Sequence, residues 1–403
     1  MKHKILNDKK LSISLILIGF SLLAGISQYI FPENDPNNEL PNQSRRDAST
    51  RSVPEYSGTG VVRPNGDPRR PPTSYLVLGG DIMLSRNIGY LNKQQGYDRI
   101  FNQENYNPTS AFSNCKIENC LLVFNLESLF HPQDNDIPLG GFNFKANTQN
   151  IETLLQLRQN KQLLLSLSNN HIVNGGYEGI TTTQQLLSEH HIRYVGAGTS
   201  KEQSRQIATI QQSNIKICFQ SYSYEGKYNI KIWAGNISRN PIIKNDIRAD
   251  LSLMKENNCD VKAIILHRGA EYRISPTNRQ KTLAHECIEN GADIIIGGHS
   301  HIPGEFEKYK GKYIFYSFGN FIFDQDRGKN ARGWDFDYTY DHELAKKTTP
   351  TYISLLAGLQ LQKFKSWVRI TLDQIEMSRM TNGVHSPLDP QSYEEILQRI
   401  AKK

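Results

Sequence analysis

The chain has 403 residues, 37% hydrophobic and 22% charged, which is enough apolar content to bury a large core and excludes a disordered protein. Its formal net charge of +7 is modest for that length, and basic residues alternate with acidic ones, so there is no stripe for nucleic acid. A mildly basic exterior remains compatible with anionic substrates or a cell surface.

The first ten residues, MKHKILNDKK, are basic and lead into LSISLILIGFSLLAGISQYIF at 11–31, which carries no charge. About 20 such residues span a bilayer as a helix. An uncleaved signal anchor is favoured over a cleaved secretory signal, whose apolar core is shorter and needs a small-x-small cleavage site. Lys2, Lys4, Lys9 and Lys10 then set residues 1–10 in the cytoplasm and everything after Phe31 outside it. Residues 32–72 are rich in Pro, Asn, Ser, Arg and Gly without an apolar pattern, and read as an extended, disordered stalk. The folded domain is expected over 73–403.

At Ser74 the pattern changes to YLVLGGDIMLSR, a buried strand, two glycines expected to open a turn, and Asp81 beyond them. An aspartate there serves equally as helix cap or metal ligand. LLVFNLES at 121–128 repeats the layout, an apolar strand followed by Asn125 and then Glu127, a second carboxylate at a strand end. Lys145 follows in FNFKA, and 151–157 has helical spacing. LLLSLSNNH gives a third strand ending in Asn169, Asn170 and His171, with a helix expected from about Thr181 to His190. His190 and His191 are expected at its C-terminal end as dipole partners, with no chemistry. Further strands IRYVGAG, IKICFQSYSY and VKAIILH follow, the last ending at His267. A helix over about 278–290 leads to ADIIIGGHSH at 292–301. Here extended backbone after a glycine turn would send His299 and His301 to the same side. KYIFYSFGNFIFDQ, a polar loop at 326–349, a closing strand pair and a surface helix complete the chain. The five cysteines, Cys115, Cys120, Cys218, Cys259 and Cys287, lack CxxC spacing, which argues against a zinc ribbon or redox dithiol. Cys115 and Cys120 could bridge only across a turn, and free, partly buried thiols are expected.

Asp81, Glu127, Asn170, His267, His299 and His301 all fall just past apolar strands in an alternating strand and helix pattern. Such a pattern puts strand ends along one edge. Oxygen and nitrogen donors of these types are what two divalent ions sharing one carboxylate require.

GGDIML, FNLES, LSNNH, LHRGAEY, IIIGGHSH and YSFGNFIFDQ, in this order, resemble the bacterial capsule-synthesis family of CapA type, linked to poly-γ-glutamate. That family is similar in fold to the calcineurin-like metallophosphoesterases. The resemblance covers about 74–324. It implies an α/β fold, a four-layer metallophosphoesterase-like sandwich of two mixed β-sheets flanked by helices, behind the N-terminal transmembrane anchor. It also implies one ion held by Asp81, Glu127 and His301 and a second by Glu127, Asn170, His267 and His299, the ions being Mn, Fe or Zn. Glu127 would bridge, and His171 would act as general acid or orient the scissile group. Arg86 and Lys145 are candidate contacts for an anionic substrate.

Three departures bear on activity. Met83 stands where the phosphoesterases carry a histidine, as it does in the capsule family, which leaves the first ion short of one ligand. Asn174 stands where Asp is usual, and Arg268 where Trp is usual. The expected function is a membrane-anchored, extracytoplasmic hydrolase acting on a phosphorylated substrate or an anionic envelope polymer in capsule synthesis or attachment, alongside membrane capsule-synthesis proteins. The alternative is a non-catalytic metal-binding assembly or export factor.

Overall fold

The computed structural model describes residues 73–101, 105–133, 143–223, 238–239, 244–325 and 351–402. The expected basic N-terminus, anchor and stalk, and the polar loop at 326–349, lie outside the described residues. Among the described residues no helix is long and apolar enough to cross a membrane.

The strands are β1 (Thr73–Ile82), β2 (Cys120–Leu126), β3 (Leu129–His131), β4 (Lys145–Asn147), β5 (Gln162–Ser166), β6 (Arg193–Val195), β7 (Ala197–Gly198), β8 (Ala208–Gln212) and β9 (Ile215–Ser223). They continue as β10 (Ser238–Arg239), β11 (Val261–His267), β12 (Ile294–Gly298), β13 (Phe306–Tyr309), β14 (Lys312–Phe315), β15 (Asn320–Ile322), β16 (Ile353–Lys363), β17 (Val368–Thr381) and β18 (Val384–Pro387). One mixed sheet runs β18-β17-β16-β1-β2-β5-β6, with β15 also on β1, and the other runs β13-β14-β12-β11-β9-β8.

Period-2 alternation decides what each strand buries. Leu76 and Leu78 of β1 and Leu121 and Val123 of β2 face Phe219, Ile265 and Ile296 of the second sheet, closing a core between the sheets. The opposite faces take helices. Val77, Leu122, Phe124 and Leu165 pack on Ile88 of α1 (Arg86–Gln95), Leu154 of α2 (Ile151–Arg158) and Ile180 and Leu187 of α3 (Gly176–Glu189). On the second sheet, Ile264 and Ile295 pack on Leu251 and Met254 of α4 (Lys244–Glu256) and Leu283 of α5 (Asn278–Glu289). The layering is therefore helix, sheet, sheet, helix. Each fully buried aliphatic side chain contributes roughly 1.5–3 kcal/mol to holding it together.

The pairs β1–β2, β2–β5, β9–β11 and β11–β12 are all parallel, so their carboxyl ends share one edge. α3 begins at Gly176, earlier than its periodicity suggested, and His190 is its C-cap residue.

Two expectations about glycine are corrected. Gly79 and Gly80 open no turn but lie inside β1, and a Cβ on Gly80 would sit 1.9 Å from the Gly319 carbonyl oxygen. They serve close approach. Gly319 O accepts from the Asp81 N–H at 2.9 Å, and β15 enters beside β1 in parallel, with Asn320 opposite Asp81. Likewise Gly297 and Gly298 belong to β12, and the turn is made by the histidines themselves, His299 at φ +89 and His301 at φ +58. Left-handed backbone is costly for residues with a Cβ, on the order of 1–3 kcal/mol each. The surroundings hold it: Ser300 Oγ lies 2.8 Å from both Ile302 O and Ser317 Oγ, and the Tyr272 N–H donates to Ser300 O at 2.8 Å.

The free-thiol expectation is also overturned. Cys115 pairs with Cys120 at a Cα separation of 4.8 Å, and Cys218 with Cys259 at 5.9 Å, leaving Cys287 as a buried thiol. The first closes because the chain does turn, the Asn119 N–H donating to Lys116 O. The second spans 41 positions and depends on β9 lying beside β11, which cysteine spacing does not disclose.

Candidate metal centre

Each donor reaches the shared edge by its own route. Asp81 is carried inside β1 past a register shift, Glu127 follows the last residue of β2, and His267 ends β11. Asn170 and His171 sit on the loop between β5 and α3, and His299 and His301 on the strained turn after β12. The structure brings ligand atoms of Glu127, His267 and His299 within 4.8 Å of one another, and those of Asp81, Glu127 and His301 likewise. Glu127 is common to both groups.

The two groups interlock closely. His267 Nε2 and His301 Nε2 lie 3.8 and 4.0 Å from Glu127 Oε1, while His267 Nδ1 and His301 Nδ1 lie 3.8 Å from Asp81 Oδ1 and Oδ2 respectively. Asn170 Oδ1 is 3.0 Å from His267 Nε2, which places it with the group of Glu127, His267 and His299. Gly298 is needed here, since a Cβ on it would lie 3.2 Å from Asp81 Oδ1 and 3.3 Å from His267 Nδ1.

The electrostatics suit cations. Asp81 and Glu127 are fully buried, and Asp81 Oδ2 and both Glu127 carboxylate oxygens accept no hydrogen bond among the described residues. Burial pushes Asp81 up to about 6, opposed by hydrogen bonds from Asn125 and the His299 backbone. Glu127 is pushed well above the carboxylate range by burial and then by the Asp81 charge, with Arg86 opposing. Burial also lowers His299 to about 3 and His301 to about 4, with His301 and His171 adding to the first and Asn320 opposing the second. Neutral imidazoles beside orphaned carboxylate oxygens form a donor set that fits borderline divalent ions such as Mn, Fe or Zn. Leaving buried carboxylate oxygens without donors is costly unless a cation completes them.

His171 forms one wall. Its ring stacks on Phe144 with centroids 3.8 Å apart, its Nδ1 is 2.9 Å from Asn174 Oδ1, and its Nε2 is 3.9 Å from Glu127 Oε1. Asn174 Oδ1 also accepts from the Phe144 N–H at 3.0 Å, so the His171 Nδ1 takes the donor role toward it. The Arg86 guanidinium lies 4.6 Å from the other ring contact, the Phe144 centroid, and is ion-paired to buried Asp324. Its charge reaches Glu127 and His301, yet the group itself is committed to Asp324. Lys145 sits on β4, half-buried, near His131, whose pKa is lowered by burial and then by the Lys145 charge.

Sequence reasoning gave no role to Asn125 and Asn320. Asn125 Nδ2 donates to Asp81 Oδ1 at 2.9 Å, and Asn320 Oδ1 holds His301 Nδ1 at 2.9 Å. Both lie inside the motifs FNLES and GNFIFDQ, but an asparagine gives no pattern signal until its partner is located.

Residues 75–325 match the family model described as "Bacterial capsule synthesis protein PGA_cap". Curated relatives include the "Capsule biosynthesis protein CapA" of Bacillus anthracis, 28% identical over 254 residues that cover 62% of this chain and 60% of the relative. The "PGA biosynthesis protein CapA" of Bacillus subtilis is 28% identical over 250 residues, covering 61% and 62%. A "Probable polyglutamine synthesis accessory protein" of Mycobacterium tuberculosis is 24% identical over 289 residues, covering 62% and 74%. The chain thus spans about three fifths of the length of the two Bacillus relatives. A calcineurin-like phosphoesterase structure from Bacillus subtilis is similar at 13% identity, TM-score 0.36, covering 81% of this chain and 96% of that one, a likeness too loose to bear on function.

Proposed function

The chain belongs to the bacterial capsule synthesis protein family, and from that premise we propose that it is a membrane-anchored, outward-facing, metal-dependent hydrolase of a phosphorylated or polyanionic envelope substrate, serving capsule or poly-γ-glutamate synthesis or attachment. The observation that carries the reading is the pair of donor groups sharing Glu127, a fully buried carboxylate set against Asp81 and the imidazoles of His171, His267 and His301. Divalent ions held there would supply a Lewis acid and an activated water. Asp81, Glu127 and His301 would hold one ion, and Glu127, Asn170, His267 and His299 the other.

His171 is the residue for proton transfer. Stacking on Phe144 and the Asn174 contact fix its ring, so Nε2 faces the shared edge and can hand a proton to a leaving oxygen. The anchor over residues 11–31 and the stalk over 32–72 belong to this proposal. Two disulfides support an oxidising compartment outside the cytoplasm.

Full-length protein in detergent should bind about two equivalents of Mn, Fe or Zn. It should also hydrolyse an aryl phosphoester, with the rate lost in His171→Ala at unchanged metal content. Failure to take up any of these ions would overturn the reading. A second reading, a metal-binding assembly or export factor without turnover, is favoured by the amide of Asn174 facing His171, since an amide stabilises an imidazolium less than a carboxylate does. Metal uptake with no hydrolysis of any phosphoester or amide offered would select it.

A further inference from the structure

The end of the sandwich opposite the metal donors has its own chemistry. β16 and β17 form a hairpin whose tip, residues 364–367, is closed by the Phe364 N–H donating to Trp367 O at 2.8 Å. Phe364 and Trp367 stack with centroids 4.4 Å apart, and the Arg369 guanidinium lies 5.2 and 5.5 Å from their rings. Trp367 is 51% exposed, and Lys365 beside it is exposed too.

A second tip lies at the same end. The loop before β2 carries Ile117, 58% exposed, next to Lys116. The loop is tied to the start of β1, since Asn119 O accepts from the Tyr75 N–H at 2.7 Å and Asn119 Nδ2 donates to Thr73 O at 3.5 Å. Thr73 is in turn paired with Gln362, the residue before the hairpin's Lys363. Both tips therefore flank Thr73, the point where the chain enters the fold. Before Thr73 come residues 32–72 and the uncharged apolar run 11–31. Asp81 lies eight positions beyond Thr73 along β1, so this end is about 26 Å from the metal donors.

We infer that the two tips contact the surface of an anionic bilayer, Trp367 and Ile117 entering the interface while Lys116, Lys365 and Arg369 meet lipid phosphates. This rests on the anchored reading and adds an orientation to it. Tryptophan with flanking lysine and arginine is the composition of a membrane interface, where the ring sits at headgroup level and the cations extend to phosphate. Cations outnumber the one carboxylate in these tips, Glu118, so an anionic leaflet attracts them. Contact at this end turns the metal edge away from the bilayer.

The test uses the full chain reconstituted in vesicles of equimolar phosphatidylglycerol and phosphatidylcholine, with the acyl chains brominated to quench tryptophan. Quenching is expected in the native chain and its Trp367 component is expected to vanish in Trp367→Phe, in which Trp233 and Trp334 remain. High salt, or the pair Lys365→Gln and Arg369→Gln, should lower the bound-to-free ratio of the tip about thirtyfold. A chain that resists alkaline extraction yet shows no Trp367 quenching overturns the inference and leaves the anchor standing. A chain that is extracted but was quenched at Trp367 keeps the inference and removes the anchor. A Trp367 response to soluble polyglutamate without vesicles, and none to lipid, overturns it in favour of a polymer site.

Discussion

His301 Nδ1 lies 2.9 Å from Asn320 Oδ1, and that contact turns its Nε2 toward Glu127 Oε1, 4.0 Å away. The amide cannot flip, because Asn320 Nδ2 already donates to Gln325 Oε1 at 3.0 Å and Thr351 O at 3.1 Å. Asn320 thus assigns the proton of His301 to Nδ1 and leaves Nε2 as the acceptor nitrogen facing Glu127. Asn320→Ala is expected to weaken metal affinity about 10- to 100-fold, read by competition with a chelating dye, while circular dichroism stays native.

Metal stabilisation should depend on pH with a definite sign. Asp81 in the metal-free fold is raised above its unfolded value, and Glu127 is raised too. Each therefore favours the fold at low pH and loses that contribution as pH rises through its folded pKa. Ions need the deprotonated carboxylates, so they restore most where the metal-free protein has lost most. The rise in Tm on adding Mn or Zn is expected to be larger at about pH 8 than at about pH 5, measured by calorimetry. An equal rise at both would contradict the assigned carboxylate pair.

Two glycines near the site should fail differently. Gly80→Ala drives a methyl into the Gly319 backbone carbonyl, which cannot move without displacing β15, and should cost about 1–3 kcal/mol of stability. Gly298→Ala meets only the ends of Asp81 and His267, so the fold should persist while metal affinity drops. Urea unfolding and metal titration on both variants separate the outcomes.

The disulfides are expected to contribute unequally. Chain-entropy reasoning gives about 4 kcal/mol for the Cys218–Cys259 link and about 2 kcal/mol for Cys115–Cys120, because the first closes the longer loop. Replacing each pair by serine and comparing urea midpoints checks the order.

If His171 transfers a proton, Asn174 is the group that limits it. Asn174→Asp would place a charge 2.9 Å from Nδ1 and is expected to raise phosphoester turnover roughly tenfold with metal content unchanged. Steady-state kcat beside metal analysis decides it.

The residue types and their places at strand ends were available from the chain alone. Apolar runs such as YLVL, LLVF and VKAIIL name their strands by period and β-branching, and parallel connections bring carboxyl ends to one edge whatever fills the loops. Tertiary contact decided the rest. Gly80 and Gly298 looked like turn residues, yet what each provides is room for the Gly319 carbonyl and for Asp81 and His267, atoms far away along the chain. His299 and His301 were expected on extended backbone, and bonds through Ser300 and Tyr272 hold them left-handed instead. Cys218 and Cys259 meet because β9 and β11 are neighbours. Local pattern reports what a residue is and which face it takes; the closeness of two distant atoms exists only once the sheets have packed.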